Sequence, residues 1–158
     1  MRDCRGKRID NGEFVYGSLQ KIQKYKDLPP KCYILQPDGF KLMTSQQLHW
    51  PEEKRWKQDY IQHEVDPKTV GQYTSRKATF DKKKIYQGDI IRYVTFNYDG
   101  SDNGVKIGYV EWSSEVAAYI VYPYIGAEEG EWLYVILDND DEVENIGNRW
   151  DNPDLLGG

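Results

Sequence analysis

Histidine is the usual general base near neutral pH, and this chain has two, His49 and His63. Neither stands in an HxxxH or comparable metal pair, so both read as surface or packing residues. Cys4 and Cys32 form no CxxC, and no histidine lies at metal-ligand spacing from either. They read as free thiols, with Cys32 packing as a small hydrophobe in Cys32-Tyr33-Ile34-Leu35. The acidic run Asp138-Asn139-Asp140-Asp141-Glu142 offers clustered oxygens to a hard cation. The EF-hand spacing fails, because Val143 stands where the turn glycine belongs, and the run reads as a solvated turn. Gly100 and Gly104 share a loop between two strands with no following helix, which is not a phosphate loop. There is no GxSxG.

One segment has chemistry of another kind. Trp50, Lys54, Arg55, Trp56, Lys57 and Tyr60 interleave aromatic and basic side chains. Such residues can stack bases and hold phosphates, or meet a protein partner. At helical spacing Trp56 and Tyr60 could equally form one apolar face docking on a sheet. With no nucleophile, base or metal constellation assembled, the sequence reads as non-enzymatic, with no catalytic residue, metal or cofactor site.

The elements that must position these residues are mostly strands. The chain has 158 residues, of which 14% are aromatic and 30% charged. That length fits a single domain, with two β sub-lobes, 1–65 and 66–158, as a subdivision. The aromatic content excludes a disordered chain. Strand-forming clusters are Glu13–Tyr16, Cys32–Gln36, Tyr60–Val65, Val70–Thr74, Asp89–Phe96, Val105–Trp112, Ala117–Tyr122 and Trp132–Leu137. Glu144–Asn148 adds an edge strand. Pro37-Asp38-Gly39 predicts a turn, so 32–43 reads as a hairpin. Asp89–Phe96 and Val105–Trp112 form a second hairpin with a long loop. Ala117–Tyr122 and Trp132–Leu137 are apolar at nearly every residue and should be covered on both faces. A short helix is predicted over Trp50–Gln58, where Pro51, Glu52 and Glu53 suit a helix N-terminus. The fold class is mainly β: a strongly bent antiparallel sheet or small barrel with one or two short helices.

Net charge is −5, which disfavours nucleic acid as a partner. Residues 1–33 carry eight basic and four acidic side chains, and residues 126–158 carry one basic and ten acidic. This asymmetry fits intramolecular attraction or head-to-tail contact between subunits. Exposed strand edges make self-association a further expectation. No apolar run is long enough to span a bilayer, and no secretory signal is visible behind Met1. A cytoplasmic location follows as the expectation. Lys7–Val15 and Lys83–Ile91 share the pattern basic, basic, Ile, two residues, Gly, acid, two apolar. That pattern reflects either duplication or two independent turns.

Three stretches together resemble the YopX-like family of phage and prophage proteins. They are Arg5-Gly6-Lys7-Arg8-Ile9-Asp10-Asn11-Gly12-Glu13-Phe14-Val15-Tyr16-Gly17; Val65 to Thr74 continued by Lys84-Ile85-Tyr86-Gln87-Gly88-Asp89-Ile90-Ile91; and Ile146 to Leu156. The family usually has a Gly after the Gln-Tyr-Thr and an Asn-Gly turn; here Ser75 and Asp81-Lys82 stand instead. The resemblance implies a mainly β protein encoded in bacteriophages and prophages, with no activity and no catalytic residue to carry over; an accessory protein acting through protein binding is the functional expectation. It also marks a structural motif. Gly88 would allow a positive-φ turn and Asp89 would bond turn amides. Asn152-Pro153 would end the last strand, with Leu155-Leu156 packing back.

Overall fold

A computed structural model of the chain describes residues 3–42 and 56–157, with the side chains of 3–39 and 59–157. The described residues are mainly β, and the strand pairings set out below are antiparallel. They fall into two compact units, Met1–Val70 and Gly71–Gly158.

The first unit contains β1 (Asp3–Lys7), β2 (Phe14–Ile22), β3 (Lys31–Leu42) and β4 (Trp56–Val65), followed by a 3-10 turn at Pro67–Thr69. Neighbours in sequence pair with one another. The sheet then curls until its first and last strands meet. Arg8 bridges Val65, Ile9 N donates to Glu64 O at 3.1 Å, and Asp66 N donates to Lys7 O at 2.8 Å. The curl needs bare backbone at two points. A Cβ on Gly6 would come within 2.8 Å of Val65 Cγ2, and one on Gly17 within 2.2 Å of Leu35 O. Inside lie Cys4, Val15, Cys32, Ile34 and Val65. Both cysteines are buried, Cys32 as the sequence reading expects.

Two expectations fail in this unit. Residues 31–42 are one strand, not a hairpin. Pro37-Asp38-Gly39 makes a bulge: Pro37 faces Tyr60 and Phe40 faces Gln58, so one strand advances three residues while its neighbour advances two. Gly39 absorbs the irregularity at φ 81°. The helix predicted over Trp50–Gln58 is absent where it is described, because Trp56–Gln58 belong to β4. Its first residues, 50–55, lie outside the described residues.

The second unit opens with the hairpin of β5 (Gly71–Lys77) and β6 (Lys84–Tyr86). Next come β7 (Asp89–Phe96), β8 (Asp102–Ser113), β9 (Ala118–Tyr122), β10 (Glu131–Trp132), the helix α1 (Leu133–Asn139), β11 (Glu144–Asn148) and a 3-10 turn at Pro153–Leu156. The strands form a five-stranded sheet in the order β10-β9-β8-β7-β11. Period-two alternation divides its side chains between two layers. Ile91, Tyr93, Val110 and Val121 face a core completed by Leu133, Ile136 and Leu137 of α1. Ile90 and Tyr109 face the opposite way, onto Leu156. Both faces of β7 are therefore buried, which explains its Ile-Ile pair.

The strand expected over Trp132–Leu137 is a correction. Only Trp132 keeps strand pairing, opposite Ile120, and the chain then turns into α1. Leu133, Ile136 and Leu137 are buried, whereas Tyr134 and Val135 are 47% and 43% exposed. That is the i, i+3, i+4 face of a helix. The acidic run, which begins in the last turn of α1, is also not simply solvated. Asp140 is 5% exposed, and its carboxylate accepts from Val94 N at 2.7 Å and Glu142 N at 2.8 Å. It ties the end of α1 to β7.

Candidate functional site: a corner and a groove in the second unit

The residues singled out by the family resemblance gather at one corner of the second unit. Asp89 is 2% exposed. Its Oδ2 accepts from Tyr86 N and from Asn145 Nδ2, both at 2.8 Å, which joins the turn before β7 to β11. Gly88 sits at φ 88°; its N–H donates to Val110 O and its carbonyl accepts from Arg149 N. Asn152 Oδ1 accepts from Asn148 N at 3.2 Å, against Gly147, where a Cβ would come within 2.3 Å of that same oxygen. Pro153 starts the terminal 3-10 turn, which buries Leu156 at 6% exposure and leaves Leu155 39% exposed. These side chains are engaged in holding the corner.

Beside it, Arg149 Nη1 meets Glu111 Oε2 at 2.7 Å and its guanidinium lies 4.9 Å from the Tyr109 ring centroid. Gln87 Nε2 donates to the other Glu111 oxygen.

The aromatic and basic segment is not brought together into one surface by what is described. Trp50, Lys54 and Arg55 lie outside the described residues. Trp56 and Lys57 are on β4, with only their backbone described. Tyr60, on the same strand, is 37% exposed. His63 Nε2 lies 3.0 Å from Gln36 Oε1, a cross-sheet packing contact, and His49 is outside the described residues. Among the described residues no group of three or more His, Cys, Asp or Glu could hold a metal ion.

A recess that sequence reasoning missed lies between the C-terminal end of β7 and the β10–α1 segment. It is a groove of about 660 Å³, walled by residues 94–97 on one side and by 130–132, Val135, Ile136 and Asn139 on the other. Its rim is apolar and exposed: Phe96 is 53%, Val135 43% and Trp132 40% exposed. Trp132 is held edge-on to Tyr134, with ring centroids 5.6 Å apart. A smaller cavity of about 290 Å³ adjoins it, sharing Gly130 and Glu131 and lined by Tyr93, Lys106 and Glu129.

Glu131 is the polar centre of both spaces. Its Oε1 accepts from Lys106 Nζ at 3.0 Å. Its Oε2 is buried without a hydrogen-bond partner, and so is Thr95 Oγ1. Burial, and then the neighbouring Glu131 carboxylate, push the Tyr93 phenol well above its ordinary value of 10.0, so Tyr93 stays protonated. A buried polar atom with no partner costs about 1–3 kcal/mol. Two such atoms lie at this one recess, whereas buried polar groups are nearly always paired. The only sequence signal of this site is the helical spacing of Leu133, Ile136 and Leu137, hidden within an unbroken apolar run.

The model of the family described as YopX protein matches residues 3–157. The chain belongs to the YopX family. The match spans both units, so the corner at Gly88 and Asp89 and the groove at Glu131 both lie within the family's extent. No match was found among curated proteins or among solved structures. Among the described residues no helix is long and apolar enough to cross a membrane.

Proposed function

We propose that this YopX-family chain is a non-enzymatic phage or prophage accessory protein of the bacterial cytoplasm that works by binding another protein through the groove between β7 and α1. One observation carries the reading. Phe96, Trp132 and Val135 are large, apolar and exposed, and they surround a recess holding two unpartnered buried polar atoms. Aromatic residues around a desolvated polar centre are the composition of an interface hot spot. Exposed apolar side chains that cluster at a recess favour a binding role over mere surface scatter. The phage setting rests on the family resemblance.

Affinity capture from phage-infected or lysogenic host lysate tests this, using the wild type and Val135→Glu. Val135 is on the exposed face of α1, so the variant should fold. The expected result is a host or phage protein retained by the wild type and lost from the variant, with unchanged circular dichroism. Retention by both, or by neither, overturns the reading. Low-salt gel shifts with single- and double-stranded DNA provide the other arm: a shift at micromolar protein would put nucleic-acid association through residues 49–60 in its place.

A further inference from the structure

We infer that Asn103 is a self-modifying residue, deamidated by attack of the Gly104 main-chain nitrogen with the Asp102 carboxylate as the base. The inference goes beyond the protein-binding reading and does not depend on it. The chain has two Asn-Gly pairs, and each follows an aspartate: Asp10-Asn11-Gly12 and Asp102-Asn103-Gly104. In such a pair the attacking residue has no Cβ to hinder ring closure. The fold sets the same tripeptide in two different places. Asn11 is pinned at both ends of its amide: Oδ1 accepts from Glu13 N and Nδ2 donates to Glu13 Oε2, both at 3.0 Å. Gly12 N donates to the Arg8 carbonyl at 2.9 Å, which is no base. Arg8 also holds the Asp10 carboxylate, with Nε donating to Oδ1 at 2.8 Å and Nη2 meeting Oδ2.

The second setting is open. Asn103 is exposed, and its side chain has no hydrogen-bond partner among the described residues. Phe96 pairs with Asp102 and Val94 with Val105, so Asn103 and Gly104 bulge together against the single residue Thr95. Gly104 N donates to Asp102 Oδ1 at 2.5 Å, so the nucleophile already faces a base. A weak nucleophile is activated by such an adjacent base. The Gly104 nitrogen bonds to Asn103 Cγ as its proton passes to Asp102. The Cγ–Nδ2 bond breaks, and the amide nitrogen takes up a proton and leaves as ammonia. The product is a succinimide, which water opens to aspartate or isoaspartate. The balance is amide plus water to acid plus ammonia, with no change of oxidation state. Either product adds a negative charge. Isoaspartate also adds a main-chain carbon to β8 opposite Thr95, a residue of the groove wall.

The test is warm storage of the full chain at neutral pH, followed by peptide mass spectrometry and enzymatic methylation of isoaspartate at successive times. The peptide containing Asn103 should gain the amide-to-acid mass difference and accept the methyl group. It should do so about ten-fold or more faster than the peptide containing Asn11, whose reaction first breaks two hydrogen bonds. Asp102→Asn keeps an acceptor oxygen for Gly104 N but supplies no base, and should slow the Asn103 reaction about ten-fold or more. Asn103→Gln should abolish both signals from that peptide. Equal rates at the two Asn-Gly pairs, a faster reaction at Asn11, or a rate at Asn103 indifferent to Asp102→Asn overturns the assignment. Circular dichroism of the variants separates a lost reaction from a lost fold, and the comparison of Asn103 with Asn11 needs the wild type alone.

Discussion

Gly88 lies beneath the ring of Trp150 so closely that a Cβ would come within 2.1 Å of Cη2 and 2.3 Å of Cζ3. Gly88 also holds φ 88°, where an L side chain is strained. Gly88→Ala should therefore lose about 3 kcal/mol or more, through strain and overpacking together. Adding Trp150→Ala should return part of that loss, because it removes the clash and leaves the strain. Urea unfolding of the two single variants and the double variant measures the coupling. Additive losses would show that the ring and the glycine are independent.

Lys82 sits in the left-handed region at φ 58°, in a turn matching that of residues 8–13. Arg8 N donates to Glu13 O and Gly12 N to Arg8 O, both at 2.9 Å; likewise Ala78 N donates to Lys83 O at 2.9 Å and Lys82 N to Ala78 O at 3.1 Å. Asn11 Oδ1 accepts from Glu13 N as Asp81 Oδ1 accepts from Lys83 N. Lys82 thus occupies the place of Gly12. Relief of left-handed strain is worth about 1–2 kcal/mol, set against about 0.5–1 kcal/mol of glycine entropy. Lys82→Gly should therefore raise stability by about 0.5 kcal/mol. A lower melting temperature would contradict this account of the turn.

This turn also corrects the sequence comparison that paired Lys7–Val15 with Lys83–Ile91. The segment that repeats the first turn is 78–83, while Gly88 serves a different junction, bonded to Val110 and Arg149. Sequence pattern aligned the glycines, whereas the backbone aligns Gly12 with a lysine. Ile90-Ile91 and the long hairpin after them were legible because strand composition and turn residues agree there, whereas the last strand ends at Asn148, ahead of the expected stop at Asn152-Pro153. The groove was not, for two physical reasons. Trp132–Leu137 has no polar residue to reveal whether its period is 2 or 3.6. Unpartnered atoms such as Thr95 Oγ1 exist only once tertiary neighbours are in place.

Tyr93 gives the fold an alkaline limit. Burial first, and the neighbouring Glu131 carboxylate second, raise its phenol above the ordinary 10.0. The unfolded chain releases this proton near pH 10 while the folded chain retains it. Above that pH the unfolded state binds fewer protons, and stability falls as pH rises. Below it neither state has lost the proton and the group contributes no slope. Tyr93→Phe should flatten the decline in unfolding free energy above pH 10, measured by urea titration at successive pH values. An unchanged slope would assign the alkaline loss to other groups.

Thr95 and Glu131 should separate stability from binding. Thr95 Oγ1 is buried with no partner, so valine of the same shape removes a desolvated hydroxyl and leaves nothing unpaired. Thr95→Val should raise unfolding free energy by about 1 kcal/mol. Glu131→Gln has the opposite sign: it removes the charge facing Lys106 at 3.0 Å and should cost up to about 1 kcal/mol in this half-exposed pair. A purely structural recess would show only these stability changes. A binding recess shows both variants weakening retention of the captured partner although they move stability in opposite directions, the trade-off expected where a fold gives up stability for binding. Chemical denaturation and affinity capture on the same samples give both quantities. Thr95→Val that is neither more stable nor weaker in binding would mean that the hydroxyl already has a partner, and would remove one of the two unpartnered atoms on which the binding reading depends.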